Sequence, residues 1–133
     1  MNAQAAWRWV AVGAASAALA VATGAFGAHA LRDAVSPDRL ATWQTAASYH
    51  LVHALALVAA GLAGLTSREQ WMGRAAALFL AGTLLFAGSL YALVLLDWPV
   101  LGAVTPLGGV AFIAGWAALA VGAVQTARGR VSS

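Results

Sequence analysis

The sequence predicts an all-α fold: an integral membrane bundle of four transmembrane helices, with a short interfacial helix between the first two. Three observations lead there. Of the 133 residues, 62% are hydrophobic and only 8% are charged, whereas a soluble domain carries about 25% charged residues. So few charges cannot make a water-facing surface, and the main solvent has to be lipid. The charges also divide the chain into four uncharged intervals, residues 9–31, 40–67, 75–96 and 98–127. Each is long enough for one span of about 20 residues and too short for two. Within the intervals the apolar residues run continuously. They do not alternate, which favours helices over barrel strands, since lipid tolerates only these two ways of satisfying the backbone.

The first span is expected at about residues 9–31. Arg8 precedes its apolar run, and Ala28-His29-Ala30 mimics a signal-peptide cleavage site. The run exceeds the ~7–15 residues of a signal core, so the span is expected to be retained. Ser36-Pro37-Asp38 then reads as a helix start, with a hydroxyl cap, a proline at the first helical position and an acid in the first turn. Leu40 and Trp43 share a face there, which predicts the short interfacial helix. The second span follows at about 45–65. Arg68, Glu69 and Arg74 mark a polar turn before the third span, at about 75–96. Asp97-Trp98-Pro99 ends that span, because a residue before proline disfavours helix. Thr105-Pro106 begins the fourth, at about 106–127. All four form one domain over residues 1–133.

All seven basic residues are arginines, the net charge is +3 and they are scattered over short polar segments. That pattern predicts no nucleic-acid partner; the lipid bilayer is the expected one. The N-terminus, second connector and tail hold Arg8, Arg68, Arg74, Arg128 and Arg130, against Arg32 and Arg39 on the other side. The positive-inside rule then places both termini in the cytoplasm. Without cysteine, disulfides, thiolate metal sites and cysteine nucleophiles are excluded.

Helix association in lipid depends on close packing at small residues. Gly13, Gly24 and Gly27 on the first span and Gly108, Gly115 and Gly122 on the fourth form stripes at helical spacing. They predict packing of the first helix against the fourth. Polar side chains gather towards one membrane face: His29, Tyr49, His53, Ser89, Tyr91 and Thr105. Ionisable groups in spans usually face the bundle or a cavity. The expectation is that His29 lies near Tyr49, His53 and Ser89, and that His50 meets headgroups or water. No catalytic constellation is evident, since no acid–base pair sits within a span. No metal site or cofactor is expected, because zinc needs three or four ligands and the carboxylates lie in loops.

GAFGAHAL, then WQTA with TAASYHLVHALAL, LFAGSLY, and VTPLGG with AGWAALAVGA resemble in order the motifs of the YgdD/YwdK family. These are small bacterial inner-membrane proteins, with relatives in animals, classed as a domain of unknown function. The matches fall on Gly24, Phe26, Gly27, His29, Trp43, Tyr49, His53, Gly88, Ser89, Tyr91, Pro106, Gly108, Gly109, Gly115 and Trp116. His50 departs from the pattern, in which glutamine is common. The resemblance implies a four-span protein of the plasma membrane and no particular activity. Two functions follow as expectations. One is a structural or accessory membrane component, with a membrane-protein partner or a homo-oligomer. The alternative is a binding or transport module for a small ligand, ion or lipid through the polar cluster.

Overall fold

The computed structural model describes residues 1–67 and 70–131. Arg68 and Glu69, and the side chain of Arg130, lie outside the described residues. The first helix, α1, spans Ala3–Phe26 and is capped by Asn2, whose Oδ1 accepts the Ala5 N–H at 2.8 Å. It continues into a π-helical turn, Gly27–Leu31. At that junction the Trp43 indole N–H donates to the Thr23 carbonyl at 2.8 Å. The same carbonyl also accepts from the Gly27 N–H. A side-chain donor competing for an intrahelical carbonyl is a known cause of such local rewinding.

The second helix, α2, spans Pro37–Thr66. Ser36 Oγ accepts the Arg39 N–H at 3.3 Å, and Asp38 sits in the first turn, as the start signal requires. The segment expected as a separate interfacial helix forms the opening turns of α2 and continues unbroken into the span. No glycine or proline falls between Pro37 and Gly61. Trp43, Ala46 and His50 lie on the same buried face as the residues that follow. The 30 residues make a rod of ~45 Å, longer than the ~30 Å hydrocarbon core.

The third helix, α3, spans Gln70–Leu96 and stops at Asp97, whose φ of 50° is left-handed. A 3₁₀ turn, Pro99–Ala103, leads into α4, Thr105–Val131. All four helices are long and apolar enough to cross a membrane. Their outward residues include Leu19, Val21, Leu84, Leu95, Leu107, Val110 and Ile113, an apolar surface suited to lipid.

The close pairs are α1 on α2, α2 on α3 and α3 on α4. The pair α2–α3 forms the middle, with α1 and α4 at opposite ends. The expected packing of the first helix against the fourth is therefore corrected: both glycine stripes serve sequence neighbours, joined by short connectors. On α1 the buried residues are Ala6, Gly13, Ala20 and, in the π turn, Gly27, one every seven residues. On α2 they include Trp43, Ala46, His50, His53, Leu57, Ala60 and Gly64, at alternating steps of three and four. This 3.5-residue period is that of a left-handed knobs-into-holes seam.

The glycines sit where backbones meet. A Cβ at Gly13 would lie 2.8 Å from the Val58 backbone nitrogen, and one at Gly61 would lie 2.9 Å from that of Val10. Gly108 faces the backbone of Phe86, Gly115 the Phe79 ring, and Gly122 Trp71 and Met72. Gly27 faces the Trp43 indole. Among the glycines of the two predicted stripes, Gly24 is the exception: a Cβ there would meet nothing within 4 Å. It lies three residues before Gly27 and off the strict seven-residue seam, so it is not a packing glycine.

Candidate functional site

The structure does not gather the polar side chains into one cluster at a membrane face. It divides them into separate hydrogen-bonded groups along the helix seams, and the two largest lie deep in the bundle. His29 is exposed on the π turn and, among the described residues, has no hydrogen-bond partner. It does not join Tyr49, His53 or Ser89. The turn points it away from the α1–α2 seam, which at that level is occupied by Gly27, Leu31 and Trp43.

The first group lies between α1, α2 and α3. His50 is 3% exposed, so it does not meet headgroups or water; it lies on the buried seam of α2. Its Nε2 is 3.0 Å from Ser16 Oγ and its Nδ1 is 3.1 Å from the Tyr91 hydroxyl. That hydroxyl is 2.9 Å from Thr23 Oγ1, and Thr23 donates to the Ala20 carbonyl at 3.0 Å. Four hydrogens serve four bonds here, so the directions can be worked out. Thr23 has one hydrogen and gives it to Ala20, so Tyr91 must donate to Thr23. Tyr91 oxygen then accepts from His50 Nδ1–H, and His50 Nε2 accepts from Ser16. The other tautomer would leave a 2.9 Å oxygen–oxygen contact without a hydrogen. Ser16 → His50 → Tyr91 → Thr23 → Ala20 is thus a one-way chain.

The second group lies between α2 and α4. His53 is 6% exposed. Its Nδ1 is 2.8 Å from the Tyr49 carbonyl, which can only accept. Its Nε2 receives the Trp116 indole N–H at 3.2 Å, which can only donate. His53 is therefore a neutral Nδ1–H imidazole with both nitrogens engaged. Its ring stacks on Phe112, centroids 3.4 Å apart, and lies 5.9 Å from the Phe79 ring. Tyr49 contributes its carbonyl, while its side chain is about half exposed and its ring stacks on Phe86 at 4.7 Å.

Ser89 and Thr105 form a third tie at the start of α4. Ser89 donates to the Phe86 carbonyl, so Thr105 donates to Ser89 across 2.8 Å. The ends of α2 and α3 are joined nearby: the Arg39 guanidinium pairs with Asp97 and also donates to the Leu93 carbonyl at 3.3 Å. His50 lies 11 residues along α2 from Arg39, or ~16 Å. That depth is close to the middle of a ~30 Å hydrocarbon core.

Sequence reasoning missed Ser16 and Thr23 and misplaced His50. The signal was present: Ser16 and Thr23 are three residues beyond Gly13 and Ala20 and share their seven-residue spacing. Read as a strict heptad from Ala6, α1 carries hydroxyls at the second seam position. Neither buried histidine has a free ring lone pair for a metal, and among the described residues no three His, Asp or Glu converge.

Comparison with known proteins agrees with this architecture. The family described as "Protein of unknown function (DUF423)" matches residues 23–109. The UPF0382 membrane protein YwdK of Bacillus subtilis (strain 168) is 46% identical over 118 residues, 88% of this chain and 96% of its own. A UPF0382 membrane protein of Staphylococcus aureus (strain bovine RF122 / ET3-1) is 45% identical over 115 residues, 85% of this chain and 92% of its own. One from Staphylococcus epidermidis (strain ATCC 12228 / FDA PCI 1200) is 42% identical over 121 residues, covering 90% and 97%. No solved structure matches. The chain is a multi-pass integral membrane protein and belongs to the DUF423, or UPF0382, family.

Proposed function

We propose that the protein is a structural or accessory component of the bacterial inner membrane, with both termini in the cytoplasm, and that it is not an enzyme. The observation that supports this reading is the state of its buried polar groups. Among the described residues, every buried side-chain nitrogen and oxygen has a hydrogen-bond partner. Both buried histidines use both ring nitrogens on groups of the protein itself. A general base needs a lone pair within reach of a substrate proton, and neither imidazole offers one. The polar groups instead bridge helices, which in lipid replaces the missing hydrophobic drive for association. Partners on this reading are the bilayer and a second membrane protein or a further copy of the chain.

Orientation is tested by single-cysteine labelling, for which the chain has no native cysteine to interfere. A cysteine at position 34 should react with an impermeant reagent only from the periplasmic side; labelling from the cytoplasm overturns the orientation. The accessory role is tested by affinity purification from native membranes. Stoichiometric recovery of one membrane protein, or of a second copy, supports it. A purified monomer that turns over a substrate overturns it.

A further inference from the structure

α1 and α4 pack on opposite sides of the central α2–α3 pair, and the two sides differ. The groove between α2 and α4 is plugged by Phe112 and Trp116 against His53. The groove between α1 and α3 is left open. It holds a cavity of about 350 Å³ with an almost wholly apolar lining from Leu19, Leu80 and Leu84, where Ser16, His50 and Tyr91 contribute only a little polar surface. Leu19 and Leu84 are more than half exposed on the bundle surface, so the cavity opens sideways into lipid. Gly88 also lines it, and a Cβ there would meet only the Thr83 carbonyl, at 3.9 Å.

The direction of the hydrogen-bond chain decides what this groove can accept. The hydrogens of Ser16, His50, Tyr91 and Thr23 are all committed within the chain. Thr83, also at the groove, gives its hydrogen to the Phe79 carbonyl. The hydroxyl oxygens of Ser16, Tyr91 and Thr83 therefore keep lone pairs but have no hydrogen to offer, and His50 has neither to spare. A carbonyl or ether would find no donor there. A hydroxyl would bring its own hydrogen to Ser16 Oγ and extend the chain by one member. The volume equals about a dozen water volumes at ~30 Å³ each, enough for a hydroxylated ring or short branched head whose tail continues into the bilayer. At ~16 Å below the Arg39–Asp97 pair, the site is too deep for the hydroxyl of a glycerolipid anchored at the headgroups. We propose that the α1–α3 groove binds a lipid-soluble alcohol or phenol, its hydroxyl donating to Ser16 Oγ and its apolar body lying between Leu19 and Leu84.

The test uses the full chain in nanodiscs of phosphatidylethanolamine and phosphatidylglycerol. The probes are 4-nonylphenol, its methyl ether and 1-dodecanol, and binding is followed by saturation-transfer NMR and by thermal unfolding. The phenol or the alcohol should bind at least tenfold more tightly than the ether, and which of the two binds tells an aromatic head from an aliphatic one. Gly88→Leu fills the groove without touching the hydrogen-bond chain and should abolish binding, whereas Ser16→Thr keeps the hydroxyl and should retain it. Equal binding of the ether, binding by neither hydroxyl probe, or full binding by Gly88→Leu overturns the proposal. Occupancy of this groove does not bear on the accessory role, because purification of partners from membranes reads that separately.

Discussion

At the scale of single residues, the bundle resolves an expensive problem: two imidazoles, a phenol and several serine and threonine hydroxyls in a lipid-facing protein. An unpaired polar group in such surroundings costs several kcal/mol, and each here has a defined donor or acceptor. The tautomers follow from the partners, since a backbone carbonyl only accepts and an indole only donates. Imidazole ¹⁵N NMR on His50 and His53 should show hydrogen on Nδ1 and a bare Nε2 in both; an Nε2–H signal for His53 would contradict the derived geometry. Trp116→Phe keeps the ring near Phe79 but removes the donor to His53 Nε2. The expected loss is about 0.6 kcal/mol, and no more than about 1.7, in equilibrium unfolding from mixed micelles. Tyr91→Phe cuts the other chain at its centre, strands His50 Nδ1–H and leaves Thr23 Oγ1 with only its bond to the Ala20 carbonyl. Its cost should be larger, about 1–3 kcal/mol, and an unchanged midpoint would show that the chain adds nothing to stability.

At the scale of helices, the seams explain which small residues matter. Glycine costs about 1 kcal/mol against alanine inside a helix, and at Gly13, Gly27, Gly61, Gly108, Gly115 and Gly122 a Cβ would not fit. Gly24→Ala should stabilise by about 0.5–1 kcal/mol, since the added methyl meets nothing. Gly108→Ala drives a methyl into the Phe86 backbone, which cannot yield as a side-chain end can. It should cost about 1–3 kcal/mol and loosen α3 from α4. If both variants unfold at the same midpoint, the assigned seams are wrong. The end of α3 holds a different constraint. Asp97 takes a left-handed conformation that Asn shares and branched residues resist. Its carboxylate is 84% exposed where it pairs with Arg39. Asp97→Asn should therefore lose less than about 1 kcal/mol, while Asp97→Val should lose about 1–2 kcal/mol more for the backbone alone. Equal losses for the two variants would remove the conformational argument.

At the scale of the whole molecule, the four spans and the Ser36 cap could be read from the sequence, because lipid leaves the chain few options. A run of about 20 apolar residues has to be helical. Ser36-Pro37-Asp38 and Thr105-Pro106 mark starts that local chemistry alone determines. The family could also be read, since its motifs recur in order along the chain. Which helices pair was not legible. A small-residue stripe says that something packs closely on that face and does not name the neighbour. Gly13 and Gly108 therefore suggested a first-to-fourth contact, where the structure gives each its sequence neighbour. The polar cluster was half legible for the same reason. His53, Ser89, Tyr91 and Thr105 were picked out as residues that need partners, yet Ser16, Thr23 and Trp116 became partners only through helix rotation. A shift of one position in the seam of α2 turns Tyr49 outward and His50 inward, and composition is blind to that shift. The sequence by itself determined the solvent, the number of spans and the starts of α2 and α4. Tertiary structure alone decided which groups meet and which hydrogen each one gives, because hydrogen bonds need atoms within ~3 Å and helix-to-helix register sets that distance.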